Sequence, residues 1–236
     1  MRSLAFSFLF SSFLCLPNLT VLYHEGEKKR FEFCRGVIRK FTLLTYGLRM
    51  KIRESGMPKE EEWNRFFDPS KILSLLSLSQ KVVDVADFGC GYGTFTIPAA
   101  MMIQGTIYAF DIEPEMIKSV EQKAKDLNLN NVKAILRDFI SEGSGLKDFS
   151  VDFVMLFNIL HVEKPIPLLK EAHRILRVGG KVGIIHWNYD AATPRGPPMN
   201  IRPKPEQCRM WAESVGFTFE QQFDLKPYHY AILLKK

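Results

Sequence analysis

The sequence predicts an α/β fold in which a mostly parallel sheet is wound with helices on both faces. Three observations predict it. Apolar runs of strand length alternate with helical patterns from about residue 82 onward, a glycine-rich bend joins the first strand to the next helix, and acidic residues recur where strands end. A chain of 236 residues with 46% apolar content suits one such domain plus a short extension.

Residues 1–50 stand apart. They hold eight Lys/Arg against three Glu, whereas the remainder holds 24 basic and 23 acidic residues. Of the formal charge of +6, +5 therefore belongs to the extension, and the nearly neutral body argues against nucleic acid as a partner. Leu4 to Leu16 is almost wholly apolar behind Arg2. It falls short of the ~20 residues that a spanning helix needs, so no stable membrane insertion is expected. Three readings stand: an export or membrane-associating signal, a disordered basic arm, or sequence upstream of the true start. We favour the last, because Met50 directly precedes Lys51 to Pro58, which opens as a domain does. The domain is thus expected over residues 51–236. Cys15, Cys34, Cys90 and Cys208 form no metal-ligand or disulfide spacing, so no metal site is expected and free thiols suit a cytoplasmic protein.

Pro58 with Glu60 to Glu62 opens a first helix, expected to reach about Phe67, with Trp63, Phe66 and Phe67 at helical spacing. Asp68-Pro69 opens a second, carrying Ile72, Leu73, Leu75 and Leu76. Strands are expected near Val82 to Phe88, Thr106 to Phe110, Val132 to Leu136, Val151 to Phe157 and Lys181 to His186. Helices fall between them, near Gly93 to Ile103, Pro114 to Leu127 and Ile166 to Leu176, the last capped by Gly179-Gly180. A Pro-rich loop, a helix near Pro205 to Val215 and strands near Phe217 to Phe223 and Tyr228 to Leu234 complete the chain.

The chemistry concentrates at strand ends. Asp87-Phe88-Gly89-Cys90-Gly91-Tyr92-Gly93 closes the first strand, and its glycines let the backbone turn tightly and approach a ligand. By itself such a bend fits many nucleotide sites. Asp111, followed by Ile112, ends the second strand, where a carboxylate can accept from both hydroxyls of a ribose. Its competing role, capping the helix at Pro114, better suits Glu113. Asp138 ends the third strand and can accept from an adenine amine while Phe139 packs on the ring, although a surface turn residue is the plainer reading of Asp138 alone. Asn158 ends the fourth strand, and His161 beyond it is either a base or a packing residue.

This set resembles the class I S-adenosylmethionine-dependent methyltransferases, in particular the group containing the ubiquinone/menaquinone and arsenite enzymes. Asp87, Gly89, Gly91 and Gly93 match that family's first motif, Asp111 its ribose-binding acid, Asp138 its adenine contact and Asn158 its fourth motif. Leu169 to Gly180 match the helix and turn before strand five. The resemblance implies a Rossmann-like sheet of seven strands with the last antiparallel, S-adenosylmethionine as cofactor and a small-molecule acceptor. A dinucleotide oxidoreductase fits less well, since no third glycine follows Gly93 at the required spacing. The intact Asp87, Asp111 and glycine set favours an active enzyme over a protein that keeps the fold and binds the cofactor or a partner without turnover, since a lapsed enzyme has no physical reason to retain a ribose acid. Amino-methylating enzymes carry an NPPY-type tetrapeptide where this chain has Asn158-Ile159-Leu160-His161.

The segment His186 to Pro203 leaves the carboxyl edge and is too Pro-rich for regular structure. It is expected to be a flap over the acceptor, with Arg195 and Arg202 holding an anionic group and His186, Trp187, Tyr228 and His229 lining the pocket. The alternative is a solvated connector with surface arginines.

Overall fold

A computed structural model describes residues 58–236; the expectations for residues 1–50 lie outside them. The strands are β1 (Val85–Phe88), β2 (Ile107–Asp111), β3 (Val132–Leu136), β4 (Val151–Phe157), β5 (Leu176–Trp187), β6 (Thr218–Leu225) and β7 (His229–Lys235). They form one seven-stranded sheet in the order β3-β2-β1-β4-β5-β7-β6. Neighbours from β3 to β5 pair in parallel, while β7 runs antiparallel to both β5 and β6. The expected α/β sheet with an antiparallel last strand is what the chain forms.

The helices are α1 (Glu60–Asn64), α2 (Pro69–Leu75), α3 (Thr96–Met102), α4 (Pro114–Asp126), α5 (Phe139–Glu142), α6 (Pro165–Ile175) and α7 (Pro205–Ser214). Alternate residues of each central strand feed opposite faces. Ala86, Phe88, Val154, Leu156, Ile184 and Ile232 meet α6 and α7 on one face. Val85, Phe153, Met155, Ile185 and Leu233 meet α2 and α3 on the other. Burial of both faces explains why these strands read as continuous apolar runs.

Several boundaries differ from expectation, among them the start of α3, at Thr96 rather than Gly93. The first helix stops at Asn64 rather than Phe67, because Asp68 must be extended before Pro69, and its side chain instead accepts from Lys71 N to cap α2. The first strand starts at Val85 rather than Val82. The last turn of α6 is not capped by glycine. Leu176 is already extended, and the left-handed Gly179 lies within β5, where the register jumps from Val151↔Leu176 to Phe153↔Lys181. Finally, Asp138 starts the short helix α5, which periodicity over four residues could not reveal.

Candidate functional site

The carboxyl edge of the parallel strands gathers nearly all the residues singled out above. At the end of β1 the bend is built by Gly89, Gly91 and Gly93, all with left-handed backbones. Gly89 N and Cys90 N both donate to Phe110 O, at 2.8 and 2.9 Å, hooking the bend over β2. A side chain at Gly93 would sit 3.0 Å from Val120 of α4, so that approach requires glycine.

Two carboxylates flank the bend. Asp111 accepts from Gly91 N at 2.9 Å and from Glu113 N at 3.0 Å, tying the bend to the start of α4. Glu113 occupies the cap position of α4 without a side-chain cap bond. Asp87 is buried and accepts from Thr96 Oγ1 at 2.6 Å. Burial pushes its carboxyl up to about 7, the Thr96 bond opposes that rise and the charge of Asp111 adds to it. Burial likewise raises Asp111, against the pull of its backbone donors. The Lys123 ammonium, on α4, donates to Tyr92 O within the bend at 2.6 Å. The Cys90 thiol is pushed well up by burial and then by Asp87 and Asp111, so it is inert. Ile112 follows Asp111 at the same edge, part-buried.

Asp138 is buried at the N-terminus of α5 and accepts from Ser141 N at 3.2 Å and Ser141 Oγ at 2.8 Å. Phe139 requires a correction. Its ring is buried in the core, edge-on to Phe88 at 5.1 Å, and Phe88 stacks on Phe110. The ring is part of the core packing and not the open face expected for a purine.

The other half of the edge is built differently. Asn158 is held left-handed at the end of β4, its N–H donating to Ile185 O at 2.7 Å, yet both polar atoms of its side chain are buried without partners among the described residues. His161 Nδ1 lies 3.3 Å from His186 Nε2. His186 Nδ1 and His229 Nε2 are also buried and unpartnered. Burial, then Arg202, brings His229 down to about 3, and burial, then His161, holds His186 well below the usual imidazole range. Both rings are therefore neutral at physiological pH.

The expected pocket residues do converge, because β7 runs antiparallel to β5 and pairs Trp187 with His229. Those two rings lie 4.1 Å apart. Sequence reasoning placed Trp63, Phe66 and Phe67 only at helical spacing on a first helix. They pack directly here, with Phe67 4.5 Å from His229 and Phe66 5.1 Å from Trp187 and 6.0 Å from Tyr228. Their aromatic spacing ahead of Asp68-Pro69 was the available signal. The segment that carries α1 also bonds to the bend: Tyr92 Oη donates to Pro58 O at 3.1 Å, Thr94 Oγ1 to Asn64 Oδ1 at 2.8 Å, and Lys123 pairs with Glu60.

The two flap arginines have separate fates. Arg195 is exposed and makes a bidentate pair with Glu62, both bonds 2.8 Å, latching the flap to α1. Arg202 is buried and does not serve an anion. It donates to the carbonyls of Asn188, Asp190, Arg195 and Pro197 and to Thr193 Oγ1, which uses its donors on the loop itself. A loop without regular structure leaves carbonyls that need donors, and one guanidinium supplies several.

Comparison with known proteins agrees with this geometry. Residues 79–228 match the family model described as a methyltransferase domain. A demethylmenaquinone methyltransferase from Geobacillus stearothermophilus is 33% identical over 108 residues, 43% of this chain and 44% of that protein. A ribosomal protein L11 methyltransferase from Thermoanaerobacter pseudethanolicus is 31% identical over 96 residues, 40% of this chain and 31% of that protein. The chain thus spans less than half the length of the curated relatives it matches. Among solved structures, a SAM dependent methyltransferase from Aquifex aeolicus has the same fold with TM-score 0.66 at 24% identity, covering 78% of this chain and 96% of that one. A putative type 11 methyltransferase from Sulfolobus solfataricus superposes with TM-score 0.57 at 26% identity, covering 70% and 89%.

Proposed function

The chain belongs to the methyltransferase domain family, and from that premise we propose that it transfers a methyl group from S-adenosylmethionine to a small molecule. The observation that carries this reading is the pair Asp87 and Asp111, two buried carboxylates flanking the bend, each raised chiefly by desolvation. Such a site favours a ligand bearing positive charge. S-adenosylmethionine fits it, being an adenosine with a sulfonium and an amino group, and supplies an electrophilic methyl.

Asp111 would take the ribose hydroxyls, since each carboxylate oxygen keeps a lone pair beyond its backbone donor. Gly89 to Gly93 let the backbone approach the cofactor. Asp138 would accept from the adenine amine. The orphaned amide of Asn158 would pair with the polar amino-acid end. The remaining contribution of the chain is to orient two reactants and exclude water, which supplies up to about 7–11 kcal/mol in well-aligned cases.

A small acceptor is supported by the closed character of the far half. His186, Trp187 and His229 are buried, the last two against Trp63, Phe66 and Phe67, which suits a compact ligand better than a polymer. The near-neutral composition of residues 51–236 points the same way. Titration calorimetry with S-adenosylmethionine and its demethylated product is expected to show saturable binding to both. Radiolabel from the methyl group should then enter the acid-soluble fraction of a cell extract. Absence of binding would refute the cofactor, and label confined to protein or RNA would refute the small acceptor.

A further inference from the structure

Resting on that reading, we infer that the segment Trp63 to Phe67 is a displaceable cover over the acceptor's seat, and that the acceptor is a flat unsaturated ring whose polar substituent bonds His229 Nε2. The seat lies where β5 ends and β7 begins. Trp187 and His229 meet there at 4.1 Å, only 3% and 1% exposed, and pack against Phe66 and Phe67. The same cluster reaches back to the cradle. Phe67 meets Phe95, just beyond Gly93, at 5.1 Å, and Phe95 meets Phe157, the neighbour of Asn158, at 4.8 Å. A ring held among these side chains is therefore close to the bend that would hold the cofactor.

The cover is held from its edges. α1 has no buried residue. Its polar attachments are the bonds of Pro58 O to Tyr92 and of Asn64 to Thr94, with the ion pairs Lys123–Glu60 and Arg195–Glu62. The two ion pairs join side chains that are 31–45% exposed, and such pairs contribute little each. The segment can therefore lift without disturbing the sheet. Trp63, Phe66 and Phe67 stay half-buried, whereas the two rings they cover are closed. His229 Nε2 supplies the polar requirement. It is buried without a partner among the described residues, and the rings around it, Phe66, Phe67 and Trp187, offer it no acceptor. A position that needed only packing would be better filled by hydrocarbon. Aromatic side chains take another flat ring edge-on or offset. A hydroxyl both donates and accepts, so it completes Nε2 whichever tautomer His229 adopts.

The test uses the protein saturated with the demethylated cofactor product, and naphthol, naphthalene and decahydronaphthol as probes. Titration calorimetry should show saturable binding of naphthol. Naphthalene, which lacks the hydroxyl, and decahydronaphthol, which lacks the flat ring, should each bind about 10-fold more weakly. In His229→Phe, which keeps a ring, naphthol should fall to the affinity of naphthalene, with naphthalene itself unchanged. Arg195→Ala, which frees the cover, should speed both binding and release of naphthol in stopped-flow mixing. The methyl-labelled product formed in cell extract should absorb in the near ultraviolet as an aromatic compound. No binding of naphthol, equal affinities for the three probes, an unaltered preference in His229→Phe or a labelled product without an unsaturated ring would overturn the acceptor class. Rates unmoved by Arg195→Ala would overturn the cover. Failure of the unaltered protein to bind S-adenosylmethionine would instead remove the methyl-transfer reading, so the failures are distinct.

Discussion

The two halves of the sheet's carboxyl edge satisfy their polar groups in opposite ways. Around β1, β2 and β3 each carboxylate already has protein donors: Asp87 has Thr96, Asp111 has Gly91 and Glu113, and Asp138 has Ser141. Around β4, β5 and β7 the amide of Asn158 and one ring nitrogen each of His186 and His229 are buried without partners among the described residues. The first half is a preformed cradle whose internal bonds fix its shape. The second keeps polar atoms waiting, which costs stability unless a ligand satisfies them. The difference matches a division between a constant cofactor and an acceptor chosen by a few groups.

The contrast can be broken most strongly at Asp87. Burial raises its folded pKa from 3.8 to about 7, so the folded protein holds a proton that the unfolded chain releases. The contribution of this group to stability is fully present below about pH 4, declines as pH rises and is gone above about pH 7, the shift being worth on the order of 4 kcal/mol. Melting temperatures of the free protein should follow that slope, and Asp87→Asn should flatten it; an unaltered slope would mean that the cradle is not desolvated. Asp111→Ala comes next. Removing an acceptor of charge-assisted bonds should cost about 3 kcal/mol of cofactor affinity, roughly 100-fold, whereas Asp111→Asn, which keeps one acceptor oxygen, should lose less. Calorimetry decides, and affinity untouched by Asp111→Ala would place the ribose elsewhere.

The smallest effects separate the flap arginines. Arg202→Met should lower unfolding stability by about 2 kcal/mol, because it strands buried carbonyls. Arg195→Ala, which breaks an exposed pair with Glu62, should cost at most about 1 kcal/mol. Denaturant titration of both variants tests the order. Equal losses would show that Arg202 is not the staple of the loop.

Much of the cradle was legible because its signals are local. Strand runs, the alternate glycines and an acid at each strand end lie within a few residues of one another, and backbone geometry converts that spacing into position. β3 and β4 fall on their expected boundaries for the same reason. The fate of Phe139 was not legible, since nothing in its neighbourhood says whether an aromatic ring after an acid turns to the crevice or to Phe88.

By itself the sequence determined the wound sheet, its glycine bend and the order of polar residues along the edge, all set by steric and periodic rules that act over short spans. The tertiary structure alone decided which side chains share an environment: His161 with His186, Trp63 to Phe67 with Trp187 and His229, Arg202 with its own loop and Arg195 with Glu62. The reason is that a polar side chain's partner is fixed by whichever donor or acceptor remains unsatisfied once the core has closed, and that competition spans the whole domain.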